Sequence, residues 1–149
     1  MRIAKLAGTG AWLLTSFCFL CSAQNKPEKT EPAFDYSELE KAPAKYRAKA
    51  NPLAKDKDSI PAGKILFEEH CAECHGETAS GTKKAPSLRA QEVQTAPPGT
   101  LFWILSNGIV RKGMPVWSKL PEPQRWQLIT FIQSLGPAET VENKAAAKP

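Results

Sequence analysis

Residues 71–75 read Cys71-Ala72-Glu73-Cys74-His75, a C-x-x-C-H motif. No other feature of the chain restricts its fold so strongly. Two thiols three residues apart on one helical turn can each add to a vinyl group of the same porphyrin. A histidine directly after the second thiol then lies under the ring, where an imidazole nitrogen reaches the iron. The motif therefore reads as a c-type haem attachment site. Other chemistries use the same cysteine spacing. A redox dithiol is expected beside a βαβ pattern, and none is visible. A zinc site normally needs four ligands. A plain disulfide is the third alternative.

The first 23 residues read as a secretory signal. Arg2 and Lys5 supply a positive start, and the apolar run Ala11 to Leu20 is too short to span a bilayer. Cys21-Ser22-Ala23 places small residues where a signal peptidase reads, so cleavage after Ala23 is expected. An uncleaved anchor is the alternative, and membrane association would follow only from that. Lipid modification of Cys18 or Cys21 is disfavoured, because Phe17 and Leu20 stand where a small residue is expected. Export agrees with covalent haem attachment, which is expected outside the cytoplasm. The remaining chain, Gln24 to Pro149, keeps only Cys71 and Cys74. Both are expected to be consumed as thioethers. With Arg2 and Lys5 gone, the 20 Lys and Arg fall to 18 against 15 acidic residues, and the charge to +3. That allows attraction to an acidic protein partner. With no dense basic patch interleaved with aromatics, it does not suggest nucleic acid.

Residues 24–59 are rich in Lys, Glu, Pro and Ala and read as a linker or wrapping arm. Ser37-Glu38-Leu39-Glu40 has capping-box spacing, and Pro43 can open a short helix through Ala50. Phe34, Tyr36, Leu39 and Tyr46 are candidates to pack on the following domain. Residues 60–136 read as that domain and 137–149 as a disordered tail. A body of about eighty residues often needs a staple, here the haem. Three helices are legible. One runs from Ser59 into Cys71, with Gly63, Phe67 and Cys71 on one face. A second runs from Pro98 or Thr100 to Asn107, with Gly108 as its left-handed stop. The third runs from Pro121–Pro123 to Gly136-Pro137, with Leu128, Phe131, Ile132 and Leu135 as one apolar stripe. No alternating run demands a strand, so the expected class is all-α.

His75 supplies one axial bond to the iron. With Met1 lost, Met114 is the only methionine for the other. It lies in Lys112-Gly113-Met114-Pro115, a loop from which a thioether can swing over the open haem face. The alternative is a gap-filling core methionine. His70 directly precedes Cys71 and reaches the opposite face awkwardly, so a surface or propionate contact suits it better. Pro86 lies eleven residues after His75. Its carbonyl is a candidate acceptor for the free ring nitrogen of His75, and a turn proline with no such role is the alternative.

At this point the stretch 60–136 resembles a class I cytochrome c of the small, single-haem bacterial periplasmic type. The resemblance rests on Gly63, Phe67, Cys71, Cys74, His75, Pro86, Leu88, Met114, Leu128 and Phe131. It implies a cytochrome c fold whose first and last helices cross at Gly63 against Leu128 and Phe131. It also implies His75/Met114 ligation of one covalently bound haem c, with the Pro86 carbonyl bonding the His75 ring. The loop between His75 and Pro86 lacks the acidic Gly-Asp-Gly run of that subgroup, and residues 24–50 match no named relative.

The function expected is single-electron transfer between redox proteins in the periplasm, without catalysis. Lys83, Lys84, Arg111, Lys112 and Lys119 would steer an acidic partner. Two rivals remain. In one the chain is a fixed relay, docked by its arm in a larger dehydrogenase or oxidase. In the other it is a haem enzyme with an open iron site.

Overall fold

Two helices cross so closely that one of them has no room for a side chain. The computed structural model describes residues 34–137. Helix α2 (Ser59–His70) and helix α6 (Glu122–Ser134) make the most extensive contact between elements. A Cβ at Gly63 would overlap the Gln127 carbonyl and lie 2.8 Å from the Phe131 Cβ. Phe67, one turn on, is fully buried with its ring 5.4 Å from that of Phe131. Leu128, Ile129 and Ile132 complete the buried stripe, and Trp126 stacks on Phe102 at 4.3 Å. Each such side chain contributes about 1.5–3 kcal/mol when fully buried.

The remaining helices are α1 (Ala44–Arg47), α3 (Ala72–His75), α4 (Gln91–Gln94) and α5 (Pro98–Asn107). The three long helices lie where periodicity and stop signals place them. The one-turn helix α3 is the turn that the cysteine spacing calls for, whereas α4 was not anticipated, since one turn carries no periodic signal. Helix α5 packs on α6 and presents Leu101, Phe102, Ile104 and Leu105 inward. Gly108 ends it at a φ of +65°. Among the described residues the only extended pairing is one isolated bridge, Ile109 to Met114. The class is all-α, as expected.

The arm from Phe34 to Asp58 is laid along this body. Its Ser37–Lys41 segment is a 3-10 turn and not a capping box. Asp35 takes the capping role, accepting from the Ser37 N–H at 2.8 Å and the Ser37 hydroxyl at 2.7 Å. The expected helix after Pro43 stops at Arg47, three residues short of Ala50. Ala42 is buried, and Tyr36, Leu39, Tyr46 and Leu53 pack partly buried against the core. The Tyr46 carbonyl lies so near Gly99 on α5 that a Cβ there would overlap it. Asn51 donates to the Thr130 hydroxyl at 2.8 Å, a buried bond that ties the arm to α6. The expected signal (1–23), the first part of the arm (24–33) and nearly all of the expected tail (138–149) lie outside the described residues.

Two outcomes follow from this packing. Gly63→Ala must push α2 off α6, and overpacking of this kind costs about 1–3 kcal/mol. Thermal unfolding should show a fall of about 4–8 °C per kcal/mol. The second concerns pH. Hydrogen bonds from Ser37, reinforced by Lys112, hold the Asp35 carboxyl down at about 2, and the Lys41 ammonium chiefly holds Glu38 below its usual range. A folded pKa below the unfolded value stabilises above the unfolded pKa, and that stabilisation fades as pH falls through the folded one. Amide exchange at Ser37–Lys41, corrected for intrinsic rate, should therefore accelerate relative to α6 as pH drops from about 5 towards 2. An unchanged ratio would contradict this.

Candidate haem site

Helix α2 ends where the motif begins. The Cys71 N–H still bonds to Phe67 O at 2.8 Å, but its φ of −122° breaks the helix. The chain then winds one new turn, α3. Cys74 and His75 both donate backbone N–H groups to the Cys71 carbonyl, at 3.1 and 2.9 Å. One carbonyl thus sets two thiols and an imidazole on a single turn. Both cysteines are free and partly buried. Burial, aided by neighbouring Cys74, pushes the Cys71 thiol up to about 11. Reactive redox dithiols have lowered pKa values, so this environment disfavours that reading. Among the described residues no group of three or more His, Cys, Asp or Glu could hold a metal ion, which leaves zinc short of ligands.

His75 is buried, with 9% of its surface exposed. Its Nδ1 lies 2.8 Å from the Pro86 carbonyl. Burial lowers its pKa, against the opposing pull of that carbonyl. A neutral ring donating from Nδ1 keeps its lone pair on Nε2, which suits an axial iron ligand. The loop that delivers Pro86 is tied back to the motif. Gly81 N–H bonds His75 O at 2.8 Å, and the Thr82 hydroxyl donates to Cys74 O at 2.6 Å. Buried Ala79 sits at a φ of +58°, a conformation that costs an L-residue about 1–2 kcal/mol. The Leu88 N–H bond to Ala79 O, at 2.9 Å, helps hold it there.

Met114 lies on a separate segment between α5 and α6. Its backbone exchanges two bonds with Ile109, at 3.0 and 3.2 Å, closing a loop around the 3-10 turn Val110–Lys112. Gly113 makes that closure possible with a φ of +88°. Just beyond, Trp117 N–H bonds Leu105 O at 2.9 Å and fixes the chain to α5. Met114, Cys71, Ala72, Leu88 and Trp117 are all partly buried apolar groups at the edge of the core. His70, the last residue of α2, has its ring 5.2 Å from Trp117 and its Nε2 3.8 Å from Glu69.

The cations expected to border the site are largely compensated. Lys112 reaches Asp35 at 3.1 Å and Glu38 at 3.7 Å, and Lys84 reaches Glu73 at 3.2 Å. Arg111 lies 4.0 Å from Glu38. Sequence reasoning missed Asp35, Glu38, Thr82 and the Tyr36 hydroxyl, which donates to Ser87 O at 3.0 Å. The Asp35–Lys112 and Tyr36–Ser87 contacts join residues 77 and 51 apart, where no local signal marks them.

Comparison with known proteins agrees with this geometry. Residues 58–132 match the family described as cytochrome c oxidase, cbb3-type, subunit III. The cbb3-type cytochrome c oxidase subunit CcoP of Azospirillum sp. (strain B510) is 33% identical over 101 residues, covering 61% of this chain and 33% of that protein. Its counterpart from Azospirillum brasilense is 30% identical over 102 residues, covering 62% of this chain and 34% of that one. The chain thus spans about a third of the length of these curated relatives. Cytochrome cL of Methylophaga aminisulfidivorans MPT superposes with a TM-score of 0.51 at 26% identity, covering 67% of this chain and 73% of that one.

Haem c is the group that such a family implies, and the donors here fit it. Two unpaired thiols share a turn with a neutral imidazole whose Nδ1 is already engaged, and Met114 supplies a partly buried thioether on the loop after α5. Taken with the match across residues 58–132, this places the chain in the cbb3-type subunit III family of cytochromes c, with the all-α cytochrome c fold.

Proposed function

We propose that the protein is an electron-transfer cytochrome that binds one haem c covalently through Cys71 and Cys74. His75 and Met114 would be the axial ligands, and the chain would be exported to the periplasm. The observation that carries this reading is the His75 ring, neutral, buried and fixed through Nδ1 to Pro86 at 2.8 Å, one residue from Cys74. When bound, haem supplies an iron that cycles between ferrous and ferric. The rest belongs to the protein. Cys71 and Cys74 fix the porphyrin edge beside the end of α2. Pro86 holds the His75 ring in one orientation and one tautomer. The Met114 sulfur, as a soft ligand, favours the ferrous state and raises the potential. A site with both axial positions filled exchanges electrons without binding substrate, which separates a carrier from a haem enzyme.

The electron passes between redox protein partners. Because Lys84 and Lys112 are paired within the chain, attraction to an acidic partner would rest mainly on Lys83 and Lys119. Among the described residues these two have no acidic partner. A second reading is a fixed relay in an oxidase, favoured by the identity of both curated relatives as oxidase subunits. Co-purification of a terminal oxidase with the full chain from detergent-solubilised membranes would select the relay, and recovery of the cytochrome alone from the periplasm would select the carrier. No helix among the described residues is long and apolar enough to cross a membrane.

The test is a visible spectrum with redox titration of the exported protein. The ferric form should show the weak long-wavelength band of iron–sulfur ligation. Met114→Ala should abolish that band and lower the potential by roughly a tenth of a volt or more, within the roughly 0.8 V that axial ligands span. A parental spectrum without the band, or a variant that retains it, would contradict His75/Met114 ligation.

A further inference from the structure

Three residues within one four-residue stretch of the arm grip both segments that carry the proposed axial ligands. The Tyr36 hydroxyl donates to Ser87 O at 3.0 Å, directly after Pro86, whose carbonyl meets His75. Asp35 and Glu38 meet Lys112, two residues before Met114, at 3.1 and 3.7 Å. The acids are pre-set for this contact. Asp35 is locked by the Ser37 amide and hydroxyl, and Glu38 by Lys41 at 2.8 Å. The Glu38 side chain is 12% exposed and that of Lys112 44%, so salt can still screen the pair. Arg111 adds a third cation at 4.0 Å from the same carboxylate. Ionic contacts on Met114's side and a hydrogen bond on His75's side thus come from one short stretch of chain. Its position is fixed independently by the close approach of Tyr46 to Gly99 and the Asn51–Thr130 bond.

We infer that Asp35 and Glu38 are positioning residues that hold the Val110–Met114 loop closed through Lys112, so that the arm acts as a strap retaining Met114 on the iron. This rests on the proposed ligation by Met114. Backbone bonds shape the loop, including Lys112 N–H to Ile109 O at 2.8 Å and Gly113 N–H to Val110 O at 3.0 Å, while the Arg111 and Lys112 side chains at its tip have their ion-pair partners, among the described residues, in the arm. An opened loop would cede its coordination position to an external ligand, so competition for the ferric iron reports directly on the strap.

The experiment uses the full-length, haem-loaded protein with imidazole as the competing ligand, followed by loss of the iron–sulfur band. The double variant Asp35→Asn/Glu38→Gln should bind imidazole about two- to fivefold more tightly than the parent, the scale of a small ion-pair network. Lys112→Gln should do the same, and combining it with the double variant should add nothing further. Lys112→Arg should keep the parental affinity. Breaking a pair outside the motif with Glu68→Gln, which meets Lys64 at 3.6 Å on α2, should leave imidazole binding unchanged, which separates positioning from a general loss of surface charge. High salt should bring the parent towards the double variant while moving the variant little. A parent with the iron–sulfur band, but with imidazole affinity that the strap variants leave unaltered, would overturn the strap alone. A parent lacking the band would overturn the ligation by Met114 and the strap with it.

Discussion

The close crossing of α2 and α6 at Gly63 is the constraint on which the rest depends. Bringing the two backbones into contact lets Phe67 reach Phe131 and buries Leu128 and Ile129 completely. It also decides where α2 ends, and therefore where Cys71, Cys74 and His75 are delivered. The motif has no freedom of its own, because its turn is wound on the last carbonyls of α2 and then on Cys71. A side chain at Gly63 would propagate its displacement along one rigid helix into the attachment site.

On that frame the two ligand segments are held in different ways. The His75 side is over-determined by backbone bonds within the 76–88 loop, including a left-handed Ala79 that only such a network tolerates. The Met114 side is a short loop closed at its base by two backbone bonds and wound on two more, with tip side chains that pair with acids of the arm. A stiff proximal side and a more adjustable distal side match the chemistry proposed. Histidine orientation tunes the iron, while methionine needs only to stay within reach.

Much of this was legible in the residue order, for reasons that can be stated. C-x-x-C-H is a local motif whose chemistry depends on spacing alone, and the His75–Pro86 pairing spans only eleven residues. Helices α2, α5 and α6 have prolines in their first turns and periodic apolar faces. The arm is a different case. Its composition reads as a linker, yet Ala42 and Asn51 are buried. It lacks a core of its own but completes that of its neighbour, and composition cannot separate these two situations. The Ser37–Glu40 capping pattern misled because Asp35, two residues upstream, competes for the same Ser37 groups. The Lys112–Asp35 and Tyr36–Ser87 contacts join residues 77 and 51 apart, where a single sequence holds no pairing signal. The basic loops were read as a steering surface for the same reason. Their charges were visible and their internal partners were not.

The central claim is that one haem is bonded to this chain through Cys71 and Cys74. The most direct measurement is the intact mass of the exported protein under denaturing conditions, with titration of its free thiols. The account predicts a mass equal to the polypeptide plus one haem, and no reactive thiol. A mass equal to the bare polypeptide, or two titratable thiols in the purified exported protein, would contradict it.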